Sequence, residues 1–194
     1  IHANRTDKYQ YDEKEVVSDF DWKSEAQQDI FLRKYKLDTR LVDILSKIEL
    51  GEIKEYNITN HISIIENNIY SSAIEKAFKY RTNTLKGIER DMECVFITGM
   101  SGSGKTTLAK KIAKDKNYQT YISSGSNDVL DDYQGQECII LDDLRSNCLG
   151  LADLLKMLDN NTASSVKSRY KNKVLECKLI IITVKSIDDF FEDI

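Results

Sequence analysis

With 194 residues, the chain can form one domain with a good core, or one domain plus a small helical one. It is 41% hydrophobic and 31% charged, with a formal net charge of −4 at pH 7, which excludes a protein that coats nucleic acid over its whole surface. No apolar run approaches the ~20 residues of a membrane span, and no charged-then-apolar leader opens the chain, so we expect a cytoplasmic protein without a membrane partner.

The first part of the chain has two textures. Residues 1–22 are polar and aromatic without steady periodicity, which predicts a linker. From Lys23 to Lys86, apolar residues recur at helical spacing, which predicts a small bundle of short helices. Thr59 or Asn60 is predicted to cap the second of two apolar-striped helices. The stripes are Leu37, Leu41, Leu45 and Ile48, and then Ile58, Ile62, Ile65 and Ile69.

From Met92 onward, short apolar runs alternate with helical segments. Short runs that are apolar throughout are typical of parallel strands buried on both faces. This half is therefore predicted to be α/β with a parallel sheet. The predicted strands are 94–99, 120–124, 138–143 and 178–183, and the predicted helices begin at Lys105 and cover 151–158.

The segment GMSGSGKT, Gly99 to Thr106, matches the phosphate-loop pattern G-x-x-x-x-G-K-[ST]. Glycines let the backbone curl so that successive N–H groups face phosphate oxygens, and the following helix adds its positive end. Lys105 is expected to reach the β- and γ-phosphates, and the Thr106 hydroxyl to bind Mg²⁺. An apolar strand before the loop and an amphipathic helix after it are the required context. The sequence therefore predicts an ATP·Mg²⁺ site made by Gly99, Ser101, Gly102, Ser103, Gly104, Lys105, Thr106 and Thr107.

The apolar run Ile139-Ile140-Leu141 ends in Asp142-Asp143, the form expected of a Walker B strand. One carboxylate at the strand end can hold the Mg²⁺ shell, and the next can orient or deprotonate the attacking water. We therefore predict that Asp142 binds metal and that both aspartates serve hydrolysis.

A basic segment, SVKSRYKNKVLECK (165–178), lies just before the last predicted strand of an otherwise acidic chain. Its Lys171-Asn172-Lys173 suits the tip of a hairpin, where cations can meet phosphates and Tyr170 can meet a base. Arg169, Lys171 and Lys173 are therefore predicted to contact nucleic acid.

The motifs GMSGSGKT, YQGQECIILDDLR and SRYKNKVLECKLIIITV resemble, as a set, the successive motifs of superfamily 3 helicases. They look most like the ATPase half of rolling-circle plasmid replication initiators (Rep proteins), relatives of the Reps of small circular single-stranded DNA viruses. The opening IHANRTDKYQYDEKEV resembles the segment just after the nickase domain of such plasmid Reps. The resemblance implies an AAA+ ATPase, preceded by a small all-α oligomerisation domain, that forms a hexameric ring around single-stranded DNA and translocates on it.

Carried over by position, the resemblance implies three regions. Residues 1–22 would be a linker after an absent nickase domain, 23–86 the oligomerisation domain, and 87–194 an ATPase domain truncated at its C-terminus. Motif C ends its strand with Asn in most of the superfamily, whereas Thr183 stands here and is expected to supply the sensor contact to the γ-phosphate. The nickase would lie N-terminally in the full-length protein, because its His-hydrophobic-His metal motif is not found here.

Three other functions stay open at this point. An RNA helicase of a positive-strand RNA virus has overlapping motifs. A P-loop kinase for a small metabolite uses the same loop, although the stretch Lys23–Lys86 is not typical of one. A non-processive, ATP-gated DNA-loading module would switch without unwinding.

Overall fold

The structure, a computed structural model, describes residues 12, 14, 16–35, 37–86, 88–123, 128–144, 148–160, 165–166 and 173–188. The chain divides into two compact units, 1–46 and 47–194. The second unit holds residues 47–86 together with the residues of the sheet, and the domain boundaries at 22/23 and 86/87 stay predictions. Whether residues 23–86 serve oligomerisation stays a prediction. Among the described residues, no helix has the length and apolar character needed to cross a membrane.

The first unit contains helix α1, Trp22–Tyr35, and the start of helix α2, Thr39–Leu50. α1 forms where Asp21 can accept a hydrogen bond from the Ser24 N–H at 3.2 Å, as an N-terminal capping residue does. Just after α1 ends, the Leu37 N–H donates a hydrogen bond of 2.9 Å to the Leu32 carbonyl. The predicted helical character of this region is confirmed.

A 3₁₀ helix, Glu55–Asn60, and a long helix α3, Ile64–Leu85, follow in the second unit. The predicted cap at Thr59 or Asn60 is wrong, because Ser63 caps α3 in a reciprocal pair with Glu66. The Ser63 hydroxyl accepts from the Glu66 N–H at 3.2 Å, and the Ser63 N–H donates to the Glu66 carboxylate at 2.8 Å. These two bonds give partners to two backbone N–H groups that would otherwise lack them. They therefore favour a helix that begins after Ser63 rather than after Asn60.

This later start also breaks up the predicted isoleucine stripe. Ile58 lies on the 3₁₀ helix, and Ile62 is a buried residue of the segment that joins this helix to α3. Ile65 and Ile69 are 69% and 68% exposed on α3. The four isoleucines therefore do not share one buried helical face.

A four-stranded parallel sheet carries the rest of the second unit, as predicted. Its strand order is β1-β6-β3-β2, so the last of the described strands lies between β1 and β3. A separate antiparallel pair, β4 and β5, precedes β6 in the chain. The elements are β1 (Glu93–Thr98), α4 (Lys105–Asp115), β2 (Thr120–Ser123), β3 (Cys138–Leu141), α5 (Leu151–Leu158), β4 (Ser165–Val166), β5 (Lys173–Val174) and β6 (Leu179–Val184).

The central strand β6 is buried along its whole length, which explains why its sequence is apolar rather than alternating. On one face, Ile181 packs in a cluster with Ala109 and Ala113 of α4. On the other face, Ile180 and Ile182 share a cluster with residues of α5. Helices therefore cover both faces of the sheet, and the loops at the carboxyl ends of its strands are left to form a site.

At the amino ends of the strands, side chains from the helical stretch 47–86 bind residues of the segments that lead into β3 and β6. Lys54 Nζ donates to the Gly135 carbonyl at 3.0 Å and lies 3.4 Å from Glu137 Oε1. The Tyr56 hydroxyl donates to the same carboxylate at 3.0 Å. Arg81 forms a largely buried ion pair with Glu176 at 2.7 Å. These contacts attach the helical stretch to the edge of the sheet opposite the phosphate loop.

The Tyr56–Glu137 contact predicts a loss of stability at alkaline pH. Burial and the neighbouring Glu137 carboxylate raise the pKa of Tyr56 from 10.0 to about 12. The unfolded chain therefore loses this proton first as pH rises, so the contribution is present below pH 10 and disappears as pH approaches 12. We expect Tyr56→Phe to lower stability at neutral pH by about 1 kcal/mol and to flatten the fall in melting temperature above pH 10.

The matched control is Tyr80→Phe, since Tyr80 is 61% exposed on α3. Thermal unfolding of both variants and the unmodified chain at several pH values makes the comparison. Equal alkaline slopes in all three proteins would contradict the assignment.

Candidate nucleotide-binding site

The predicted phosphate loop joins the end of β1 at Thr98 to the start of α4 at Lys105. Gly104 caps α4 in the left-handed conformation, with φ of 86°, and Gly102 has φ of 79°. Other residues rarely adopt these values, so the two glycines let the chain curl into the first turn of the helix. Ser101 to Gly104 are exposed and Thr107 is exposed on the first turn of α4. The loop is therefore an open cradle at the positive end of a helix.

Lys105 folds back across this loop. Its Nζ donates to the Gly99 carbonyl at 2.7 Å and to the Met100 carbonyl at 3.1 Å. An ammonium group has three donors and no acceptor, so these two bonds leave one donor for a further oxygen. The ammonium group of Lys105 therefore lies beside the loop backbone. Oxygens of an anionic ligand can replace the two carbonyls as its hydrogen-bond acceptors.

Thr106 connects the loop to the Asp pair. Its hydroxyl donates to Asp142 Oδ1 at 2.7 Å. β1 and β3 are not neighbours in the sheet, since β6 lies between them. The contact therefore spans the carboxyl ends of three strands and brings together residues that are far apart in sequence, as the two motifs predict.

The two aspartates at the end of β3 differ in exposure. The Asp142 N–H donates to the Ser123 carbonyl at the end of β2, at 2.8 Å, and its side chain is half-buried. Asp143 is exposed and has φ of 51°, in the left-handed region. One carboxylate thus faces the phosphate loop, and the next leaves the strand through a tight turn toward solvent.

Thr183 lies next to this pair on β6 and is fully buried. Its hydroxyl donates to Asp142 Oδ1 at 2.9 Å and accepts from the Asp143 N–H at 2.8 Å. It is therefore in contact with both residues of the Asp pair, which the sequence did not predict. Whether it senses a γ-phosphate stays a prediction.

The oxygen atoms around Asp142 fit a magnesium ion. Mg²⁺ prefers hard oxygen ligands and is usually held by one or two protein groups, with waters and phosphate oxygens completing its shell. The Thr106 hydroxyl and the Asp142 carboxylate, 2.7 Å apart, are two such groups beside a phosphate loop. The donor set is therefore of the kind that binds Mg²⁺ together with a nucleotide.

The basic segment is described only in part. Arg169 and Lys171 lie outside the described residues, and so does the predicted hairpin tip apart from Lys173. β4 and β5 pair on either side of the gap, with Val166 opposite Lys173. Lys173 Nζ donates to the Tyr133 carbonyl at 2.9 Å, so this cation is partly engaged within the protein.

The sequence predicted no role for two buried residues, Ser123 beside the site and Tyr133 at the amino ends of the strands. Ser123 is buried at the end of β2 and supplies the carbonyl that holds Asp142. Tyr133 is buried, accepts from the Glu176 N–H at 3.1 Å, and also contacts Lys173 of β5. Burial raises the pKa of its hydroxyl well above the usual value. A serine at a strand end gives no distinctive sequence signal, whereas Tyr133 is the one aromatic in the polar stretch DDYQGQE and is a candidate for burial.

Comparisons with known proteins agree with this geometry. Residues 95–186 match the family model described as RNA helicase, which covers the loop, the Asp pair and Thr183. The chain is 81% identical over 195 aligned positions to the "Replication protein" of Onion yellows phytoplasma (strain OY-M). That alignment spans 100% of this chain and 52% of the relative, so the chain spans about half the length of the curated relative it matches. The chain is thus similar over residues 95–186 to a helicase family, and over its whole length to part of a replication protein.

Proposed function

We propose that this chain is the ATP-hydrolysing helicase module of a replication initiator and acts on single-stranded DNA. The observation that carries the proposal is the 2.7 Å bond between Thr106 of the phosphate loop and Asp142 of the Asp pair. This contact joins the two motifs that ATP hydrolysis requires, a phosphate-binding loop after β1 and a carboxylate at the end of β3. The similarity to a replication protein supports a role in replication.

Each residue of the site then has a defined task. Lys105 and the loop backbone bind the β- and γ-phosphates, and Thr106 with Asp142 would hold Mg²⁺. When bound, Mg²⁺ neutralises charge that develops on the phosphate oxygens. Asp143, which is exposed at the turn after β3, is suited to orient the attacking water.

The finer parts of the proposal come from the motif set. We assign the module to a plasmid rolling-circle Rep, with a nickase domain N-terminal to it in the full-length protein. We also propose that it works as a homo-oligomeric, hexameric ring of the AAA+ type that translocates on DNA. The exposed Ile65 and Ile69 of α3 support a subunit contact, because apolar side chains at helical spacing gain stability when a neighbour covers them.

RNA is the second candidate substrate. The description of the matching family model as RNA helicase favours it. DNA and RNA strands share the phosphates that lysines bind, so the basic segment does not distinguish them.

The deciding experiment measures ATP turnover of the purified chain alone, with oligo(dT), and with oligo(U) of equal length. Turnover stimulated by oligo(dT) supports the DNA helicase module, and preferential stimulation by oligo(U) supports the RNA alternative. Turnover that neither strand changes would favour a small-molecule kinase.

Sedimentation of the same samples, with and without ATP, tests the ring. Binding of both ATP and DNA without strand separation would identify a loading module.

The role of the basic segment predicts the behaviour of Lys171→Ala, alone and combined with Lys173→Ala. Each lost phosphate contact should weaken single-strand binding and lower the slope of log K against log salt by about 0.7. ATP turnover without DNA should persist, because Lys173 lies on β5 and contacts Tyr133 rather than the phosphate loop. Fluorescence anisotropy with labelled oligo(dT) at several salt concentrations measures the effect.

Lys111→Ala is the matched control, because Lys111 is an exposed lysine on α4. DNA affinity that is equal in the control and in both Lys171 variants at every salt concentration would remove these lysines from the proposed interface.

A further inference from the structure

The buried position of Thr183 on the central strand sets what its side chain can reach. Thr183 pairs with Ile97 of β1, and the preceding Ile182 pairs with Leu141 of β3. The residue is 0% exposed, although it lies at the strand end that faces the phosphate loop. A group in this position acts on its neighbours in the sheet rather than on a ligand in solvent.

The side chain and the carbonyl of Thr183 hydrogen-bond to the turn that carries the Asp pair. A hydroxyl has one proton, and that of Thr183 is donated to Asp142 Oδ1 at 2.9 Å. The Thr183 hydroxyl oxygen accepts the Asp143 N–H at 2.8 Å, and the Thr183 carbonyl accepts the Leu144 N–H at 3.0 Å. Because the hydroxyl proton of Thr183 is engaged in the hydrogen bond to Asp142, it is not available to a γ-phosphate.

The turn that Thr183 holds has an uncommon conformation. Asp143 has φ of 51°, which residues other than glycine seldom adopt unless the surrounding structure fixes it. The N–H groups of Asp143 and Leu144, one on each side of the Asp143 Cα atom, both donate to Thr183. Thr183 therefore fixes the turn that separates the half-buried Asp142 from the exposed Asp143.

We propose that Thr183 is a positioning residue for both carboxylates: it fixes Asp142 toward Thr106 and holds Asp143 in its left-handed turn, in place of a sensor contact to phosphate. The expected effect on catalysis rests on the proposed ATPase function, and the expected effect on the turn rests on the hydrogen bonds of Thr183. Asp142 keeps acceptor capacity for a hydrated cation, because a carboxylate offers about four lone-pair sites and the two threonine hydroxyls occupy two.

The test compares Thr183→Val, which removes the hydroxyl, with Thr183→Ser, which keeps it, and with Thr183→Asn, which supplies the usual motif C residue. We expect Thr183→Val to raise the Mg²⁺ concentration for half-maximal binding of a fluorescent ATP analogue by about 10-fold. It should lower kcat by about 10-fold or more with little change in KM, since the aspartates are needed mainly in the transition state. Thr183→Ser should restore both quantities, and Thr183→Asn should not.

A second readout needs no nucleotide. Amide hydrogen exchange at Asp143 in the ligand-free, unmodified protein should be slowed by at least about 10-fold relative to an open turn. This protection should be lost in Thr183→Val and kept in Thr183→Ser. If the unmodified protein binds no nucleotide, the proposed function fails, and this measurement still decides the structural part of the inference.

Several results would overturn the inference. An Asp143 amide that exchanges freely in the unmodified protein would do so, even if Thr183→Val did not fold. So would a Thr183→Val protein whose Mg²⁺ midpoint and kcat are unchanged. Full activity in Thr183→Asn together with low activity in Thr183→Ser would assign a phosphate sensor instead.

Discussion

The Lys105→Ala variant is expected to lose ATP turnover by about 10²–10³-fold, the loss seen when one preorganised group that stabilises transition-state charge is removed. Lys105 Nζ is held at the mouth of the phosphate loop by the Gly99 and Met100 carbonyls, at 2.7 and 3.1 Å. Without this cation the loop offers only backbone dipoles to a triphosphate, so nucleotide affinity should fall as well. Steady-state turnover and titration with a fluorescent ATP analogue measure the two effects.

Lys110→Ala is the control for this variant. Lys110 is an exposed lysine on the same helix α4, so its removal changes the net charge equally. Melting temperatures of both variants near that of the unmodified chain would show that the fold is intact. Turnover in Lys105→Ala equal to that in Lys110→Ala would refute the nucleotide site.

We expect Asp142→Asn to bind nucleotide and hydrolyse it poorly. The amide keeps the shape of the side chain and one oxygen to accept the Thr106 and Thr183 hydroxyls. It lacks the negative charge that would hold Mg²⁺, whose charge stabilisation is worth several kcal/mol, or about 100-fold or more in rate. Nucleotide affinity should fall by less than about 10-fold, since the loop and Lys105 remain.

Single-turnover hydrolysis and equilibrium binding separate these two quantities. The control is Asp131→Asn, since Asp131 is an exposed aspartate in the same unit. Loss of binding that is as large as the loss of hydrolysis would show that Asp142 supports the loop rather than the chemistry.

Much of the sheet could be predicted because its signals are local. Each buried strand is a short apolar run, and the run at 138–143 was placed within two residues of β3. The phosphate loop was predictable for the same reason, since every requirement of its geometry falls within eight consecutive residues. The pairing of Thr106 with Asp142 followed from two such local motifs whose strands end at one edge of the sheet.

The rest depends on contacts between residues that are distant in the chain. The cap of α3 is an exception, because Ser63 and Glu66 have the local spacing of a capping box, which favours Ser63 over Thr59 from the sequence alone. The ion pair of Arg81 with Glu176 carries no spacing signal at all. Thr183 was expected to face a phosphate, and its hydrogen-bond partners became visible only when β6 was placed beside β3.

The central place of β6 has a consequence for how the protein folds. Glu93 at the start of β1 pairs with Leu179 at the start of β6. The strand before the phosphate loop therefore pairs with a strand that lies much further along the chain. Parallel pairings between such distant segments fold slowly, because a long loop must close before any contact forms. Until then β1 and β3 have exposed edges that can pair with other chains. A ligand held by Lys105 and Asp142 binds only after β6 has joined the two strands, so it would stabilise the whole sheet against unfolding rather than the loop alone.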